Sequence, residues 1–137
     1  MPVQTRAEAV AAILKVLEPR ADLHLAVLHG SAAAGTLRKN SDIDLAVALD
    51  HPMNPDELLE LATAVSLACG RETDIADLRR SGGLFLHRVL CNGRLVLNRN
   101  PQLYYSLALE SLEFIQDIQP IVRAAQARRI KEFADGR

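Results

Sequence analysis

The sequence predicts an α/β or α+β fold, a small β-sheet flanked by helices with a helical C-terminal tail. Two observations carry this reading. Short runs rich in Leu, Val and Ile alternate along the chain with capped, amphipathic stretches, the order expected of a sheet covered by helices. The 137 residues, 49% hydrophobic with a formal net charge of −1, suffice for one core and are few for two. A single domain over 1–137 is therefore expected, with a core over 1–100 and a helical tail over 101–137.

The elements follow in order. Thr5 and Glu8 form a capping-box pattern, and Val10, Ile13, Leu14 and Leu17 mark one helical face that stops before Pro19. Residues 23–29 read as a buried strand; Gly30-Ser31 ends it, and Ala32, Ala33 and Ala34 favour a helical turn. In 42–48, Ile43, Leu45 and Val47 alternate with Asp42, Asp44 and Ala46, a strand with one apolar face. Asn54 and Pro55 start a helix with Leu58, Leu61, Ala62 and Val65 turned inward, closed by Gly70. Asp74 opens a short apolar segment. Gly82-Gly83 precede a helix over 84–91, and Asn92-Gly93 turns into a strand over 94–97. Asn100-Pro101 opens the final helical region, which Pro120 is expected to bend or break.

The chemistry concentrates where the first strand meets the first short helix. A helix N-terminus presents unpaired N–H groups and a positive dipole end to an anion, and Gly30 has no side chain to block a phosphate. The Ser31 hydroxyl adds a donor, and Ser41, just before Asp42, is assigned with them to the nucleotide. Asp42 and Asp44, two residues apart on one strand, share a face roughly 6.6 Å apart at the backbone, so their oxygens can serve the same metal site. Magnesium takes oxygen ligands, a few carboxylates together with substrate phosphates. Asp74 is the candidate third carboxylate, as metal ligand or proton acceptor. Asp77 is the reserve, turned by strand alternation to the opposite face.

Taken singly, Gly-Ser before alanines is an ordinary turn with a cap, and Asp-x-Asp an ordinary strand edge. Their order, strand, Gly-Ser helix, Asp-x-Asp strand, helix, Asp strand, makes the combination specific. The segment from Gly30 to Val47, with ten residues between Gly30-Ser31 and Asp42, resembles the signature of the polymerase beta-type nucleotidyltransferase superfamily. The whole chain resembles its minimal members, the MNT antitoxins paired with HEPN toxins. That resemblance implies a nucleotidyltransferase fold with a mixed sheet and the carboxylates at one edge of a cleft. It also implies an antitoxin that transfers AMP from ATP to a tyrosine hydroxyl of a HEPN ribonuclease, with Asp42, Asp44 and Asp74 serving two Mg2+ ions.

Other motifs fail. Gly30 and Gly35 have P-loop spacing, but Thr36-Leu37 stands where that loop needs Lys and Ser or Thr. No Gly-x-Ser-x-Gly occurs. His87 and Cys91 are one helical turn apart, yet two ligands make no structural zinc site, and a partly buried Cys beside an ordinary His is the simpler reading. His29 abuts the phosphate turn. Arg38 and Lys39 are as readily a solvated loop as a phosphate clamp, and Lys plus Arg nearly balance Asp plus Glu, so no direct nucleic-acid binding is expected. Two cysteines without a framework, no signal-like N-terminus and no spanning segment point to the cytoplasm and away from the membrane.

Little chain follows the Asp74 segment, which favours an acceptor that brings its own hydroxyl, as in a hetero-oligomer with a HEPN toxin. Leu103, Leu107, Phe114, Ile118 and Ile121 are the expected contact, unless they pack on the chain's own sheet. Two rivals are a transferase acting on a small acceptor such as an aminoglycoside, and an antitoxin acting by binding alone.

Overall fold

The computed structural model describes residues 1–136; the last residue of the expected tail, Arg137, lies outside them. The elements run α1 (Arg6–Leu17), β1 (Leu23–His29), α2 (Gly30–Ala34), β2 (Ile43–Leu49), α3 (Pro55–Cys69), β3 (Thr73–Asp77), a 3-10 turn (Leu78–Arg80), α4 (Gly83–Asn92), β4 (Arg94–Asn98) and α5 (Pro101–Ala134). The sheet is mixed, in the order β3-β2-β1-β4, with β2 and β3 parallel and the other two pairs antiparallel. The parallel pair is joined through α3, the helical crossover that a parallel connection requires.

The helix starts are written in the sequence. The Thr5 side chain accepts the Glu8 N–H at 3.1 Å. At α3, Asn54 and Glu57 close a full capping box, Pro55 supplies a preset φ, and Gly70 ends the helix at φ 66. Asn100 caps α5 by accepting the Leu103 N–H at 3.0 Å.

Two apolar layers enclose the sheet. On one face, Ile43, Leu45, Val47 and Leu49 of β2 pack with Ile13 and Leu17 of α1 and Leu61, Val65 and Cys69 of α3. On the other, Leu25 and Val27 of β1 and Ala46 and Ala48 of β2 pack with Leu86 and Val89 of α4 and Leu107 of α5. The expectation that β2 has a single apolar face thus needs correction. Beyond Asp44 its second face is also buried, Ala46 and Ala48 joining the layer that holds Leu86, Val89 and Leu107.

A second correction concerns α5. Pro120 neither breaks nor ends it: one helix of 34 residues, about 51 Å long, runs through the proline. Proline forfeits one bond to the carbonyl four residues back, but Gln116 and Pro120 are both exposed, which leaves that carbonyl open to solvent. The first turns of α5 bury Leu107 and half-bury Leu103, while every residue from Gln119 to Gly136 is exposed. The expected tail contact therefore divides: Leu107 and Leu103 serve this chain's own core, and Ile121 stands in solvent at 69% exposure.

Candidate active site

Strand register builds the site. His29 at the end of β1 pairs with Asp44 of β2, and Asp44 pairs with Asp74 of β3. The three residues make one row across three strands, with the two aspartate backbones about 4.8 Å apart. Alternation places all three on the sheet face that carries Leu25, Val27, Ala46 and Ala76, the face covered further along by α4 and α5. Asp42, exposed, stands immediately before β2.

Gly30 sits at the entrance of α2 with φ +67, a left-handed conformation that a side chain resists, and a Cβ there would collide with Oδ2 of Asp44. The glycine therefore lets the phosphate turn and the carboxylate approach each other, a requirement beyond the open path to an anion expected from sequence. The Ser31 carbonyl accepts the Thr36 N–H at 2.9 Å, folding the chain back after α2. Among the described residues the Ser31 hydroxyl bonds to no other side chain. Ser41 is already engaged: its hydroxyl oxygen accepts the Arg38 N–H at 2.9 Å, tying the loop before Asp42.

Arg71 was not singled out by the sequence, yet it locks that loop. Its guanidinium donates to the carbonyls of Arg38 at 2.7 Å, Ser41 at 2.8 Å and Val3 at 2.7 Å. Arg38 and Lys39 themselves remain exposed on the loop surface. The bonds of Arg71 bridge residues some thirty positions apart or more, so no local pattern could announce it.

Electrostatics follow from this crowding. Burial pushes the Asp44 carboxyl above its ordinary range, and the charges of Asp74 and Asp42 push the same way against the opposing pull of His29. Burial lowers the His29 imidazole, with Asp44 and Asp74 opposing. Among the described residues, no three His, Cys, Asp or Glu side chains converge closely enough to hold an ion by themselves. The donor set nonetheless fits magnesium: all oxygen, negatively charged, mutually repelling at Asp44, and short of ligands that substrate phosphates and water would supply.

The row opens into a cavity at each end. On the β3 side, about 710 Å³ is lined by Asp42, Asp74, Thr73 and Arg71 together with Leu59 and Leu67 of α3. On the β1 side, a pocket of about 380 Å³ lies between His29-Gly30 and α4. Asp77 reaches neither. It is buried on the opposite face, where its carboxylate accepts the N–H groups of Met53 at 2.8 Å and Arg79 at 2.9 Å. The remaining candidates are structural or superficial. His24 bonds to Arg79 and Asn100. Cys91 is exposed rather than partly buried, 3.6 Å from His87.

Residues 11–102 match the family model described as "Polymerase beta, Nucleotidyltransferase". The chain belongs to this family. Gly30, Ser31, Asp42, Asp44 and Asp74 all fall inside the matched span. A 72-residue stretch is 33% identical to the protein adenylyltransferase MntA of Shewanella oneidensis. That stretch is 53% of this chain and 52% of the relative, so the chain spans about half the length of the curated relative it matches. Among solved structures, a chain of a toxin-antitoxin crystal structure with AMP-PNP superposes with a TM-score of 0.73 at 26% identity, covering 88% of this chain and 98% of that one. A chain of the complex between a tri-AMPylated Shewanella oneidensis HEPN toxin and its MNT antitoxin superposes at 0.69, with 22% identity over 91% of this chain and 98% of that one. The mixed four-stranded sheet with its helices and helical tail is thus a nucleotidyltransferase fold.

Proposed function

We propose that this nucleotidyltransferase-family chain is an antitoxin that transfers AMP from ATP to a tyrosine hydroxyl of a HEPN ribonuclease partner. The observation that carries the reading is the row His29, Asp44, Asp74, set against a glycine whose missing side chain admits Asp44 to the phosphate turn. The relative named a protein adenylyltransferase and the similar chain from a toxin-antitoxin complex with AMP-PNP support the substrate and the partner.

The N–H groups at Gly30 and Ser31, with the Ser31 hydroxyl, hold the distal phosphates; Ser41 contributes through the loop it caps and through its remaining O–H. Asp42 and Asp44 would hold the magnesium, two ions in this reading, with Asp74 rather than Asp77 completing the set from the neighbouring strand. When bound there, magnesium would supply charge neutralisation at the phosphoryl oxygens and a lowered pKa for the acceptor hydroxyl. The acceptor oxygen bonds to the α-phosphorus as the bond to pyrophosphate breaks. The exposure of Asp74 at the start of its strand supports a role for it as acceptor of the hydroxyl's proton. The rest of the rate enhancement comes from positioning.

The outer half of α5 presents Ile121 and Ile130 at 69% exposure and Phe133 at 85%, an apolar surface that supports a partner contact there. No helix is long and apolar enough to cross a membrane. Both cysteines are free thiols, which suits the reducing cytoplasm where ATP and such a partner meet.

The test is intact-mass measurement of the co-expressed HEPN partner after incubation with ATP and magnesium. A gain of one or more AMP units, absent with Asp42→Asn plus Asp44→Asn, is the expected result. An unmodified partner that is still neutralised would replace the enzymatic reading with protection by binding alone.

A further inference from the structure

The pocket at the β1 end of the carboxylate row has chemistry that the phosphate turn and the aspartates do not use. Its walls are His29 and Gly30 on one side and Phe85, Arg88 and Asn92 of α4 on the other. At about 380 Å³ it falls in the range of small-molecule sites. Phe85 meets His29 edge to face, ring centroids 5.7 Å apart with an interplanar angle of 84°, so the aromatic side chain is held beside the residue that pairs with Asp44. It nevertheless stays 43% exposed while its helix neighbour Leu86 is fully buried. Arg88 lies three residues on, on the same side of α4, and among the described residues no carboxylate forms a salt bridge with it. A solvent-facing aromatic and an unneutralised guanidinium on one helix side, opening beside Gly30, suit a ligand that is a flat ring at one end and a phosphate at the other.

We infer that this pocket receives the nucleoside half of the nucleoside triphosphate, with Phe85 stacking on the base and Arg88 pairing with a phosphate. The inference rests on the nucleotidyl-transfer reading and adds two substrate-binding residues that neither the Gly-Ser turn nor the Asp motif contains. Stacking on a single ring accepts any base, because every base has a π-face, so the pocket fixes position more than it selects adenine.

The test is calorimetric titration of the full chain with ATP, GTP and inorganic tripolyphosphate in magnesium, for wild type, Phe85→Leu and Arg88→Gln, with melting temperatures to verify folding. Base-aromatic stacking of about 1–3 kcal/mol predicts that Phe85→Leu weakens ATP and GTP binding about 5- to 150-fold and leaves tripolyphosphate unchanged. Arg88→Gln should weaken all three. If wild type binds ATP and both folded variants bind it equally well, the pocket assignment is overturned and the transfer reading survives. If Phe85→Leu weakens ATP and tripolyphosphate alike, stacking is overturned. A wild type that binds no nucleotide overturns the inference together with the reading beneath it.

Discussion

Strand β3 carries two aspartates three residues apart, and the fold treats them in opposite ways. Asp74 enters the strand exposed, in register with Asp44, beside a cavity. Asp77 leaves it buried, bonded to two backbone N–H groups and 3.8 Å from the Arg80 guanidinium. One carboxylate is left free of protein partners that would occupy it; the other is consumed by them. A strand whose successive residues turn to alternate faces can thus hold a free acid and a fully bonded one three residues apart. The two carboxylates are therefore expected to differ in what their removal costs.

The largest expected effect lies at Asp74. Asp74→Asn should lower AMP transfer by about a hundredfold or more with an unchanged melting temperature, in the range seen when a transition-state partner is removed. Asp77→Asn should do the reverse: a loss of about 1–3 kcal/mol, because the amide that replaces the carboxylate cannot accept from both N–H groups equally well, with transfer per folded molecule retained. Urea unfolding beside a rate assay separates the two, and an inactive but fully stable Asp77→Asn would undo the contrast.

A similar contrast divides α5. Leu107→Ala, in the core under the sheet, should cost about 2–5 kcal/mol. Ile130→Ala, fully outside it, should change the isolated chain's stability by less than about 0.5 kcal/mol yet weaken capture of the partner. Calorimetric melting and a co-purification assay read both.

The smallest effect is a pH dependence away from the site. The protonated His51 ring donates to Asp50 and to Glu57, each at 2.6 Å, which raises the imidazole and lowers the Glu57 carboxyl. A raised histidine contributes stability below its unfolded pKa of about 6.5, lost as pH rises through its folded value. A lowered glutamate contributes above its unfolded pKa of about 4.3, lost as pH falls through its folded value. This cluster's contribution to the melting temperature should therefore be greatest between those limits and fall away on both sides, and His51→Gln should remove it from the pH profile. A profile identical in the variant would remove the pair from the account.

Much of this was legible in the sequence because the signals are local. Capping residues, the Gly30-Ser31 break and the alternation around Asp42 and Asp44 each act within a few positions, and they located the helices, the strands and the face on which Asp44 stands. Strand order was not legible, since β1 lies between β2 and β4 through contacts that periodicity does not encode. Arg71 escaped notice for the same reason. Pro120 misled because local chemistry disfavours proline in a helix, while exposure lets water supply what the backbone lacks. The choice between Asp74 and Asp77 turned on register: only the pairing of β2 with β3 shows which acid stands beside Asp44.

The most direct test is a single-turnover measurement with labelled ATP, excess enzyme and the HEPN partner, comparing wild type with Asp44→Asn at equal folded concentration. The account predicts label on the partner with wild type and a rate at least about a hundredfold lower in the variant. Equal rates would mean that the row of His29, Asp44 and Asp74 is not where AMP is transferred.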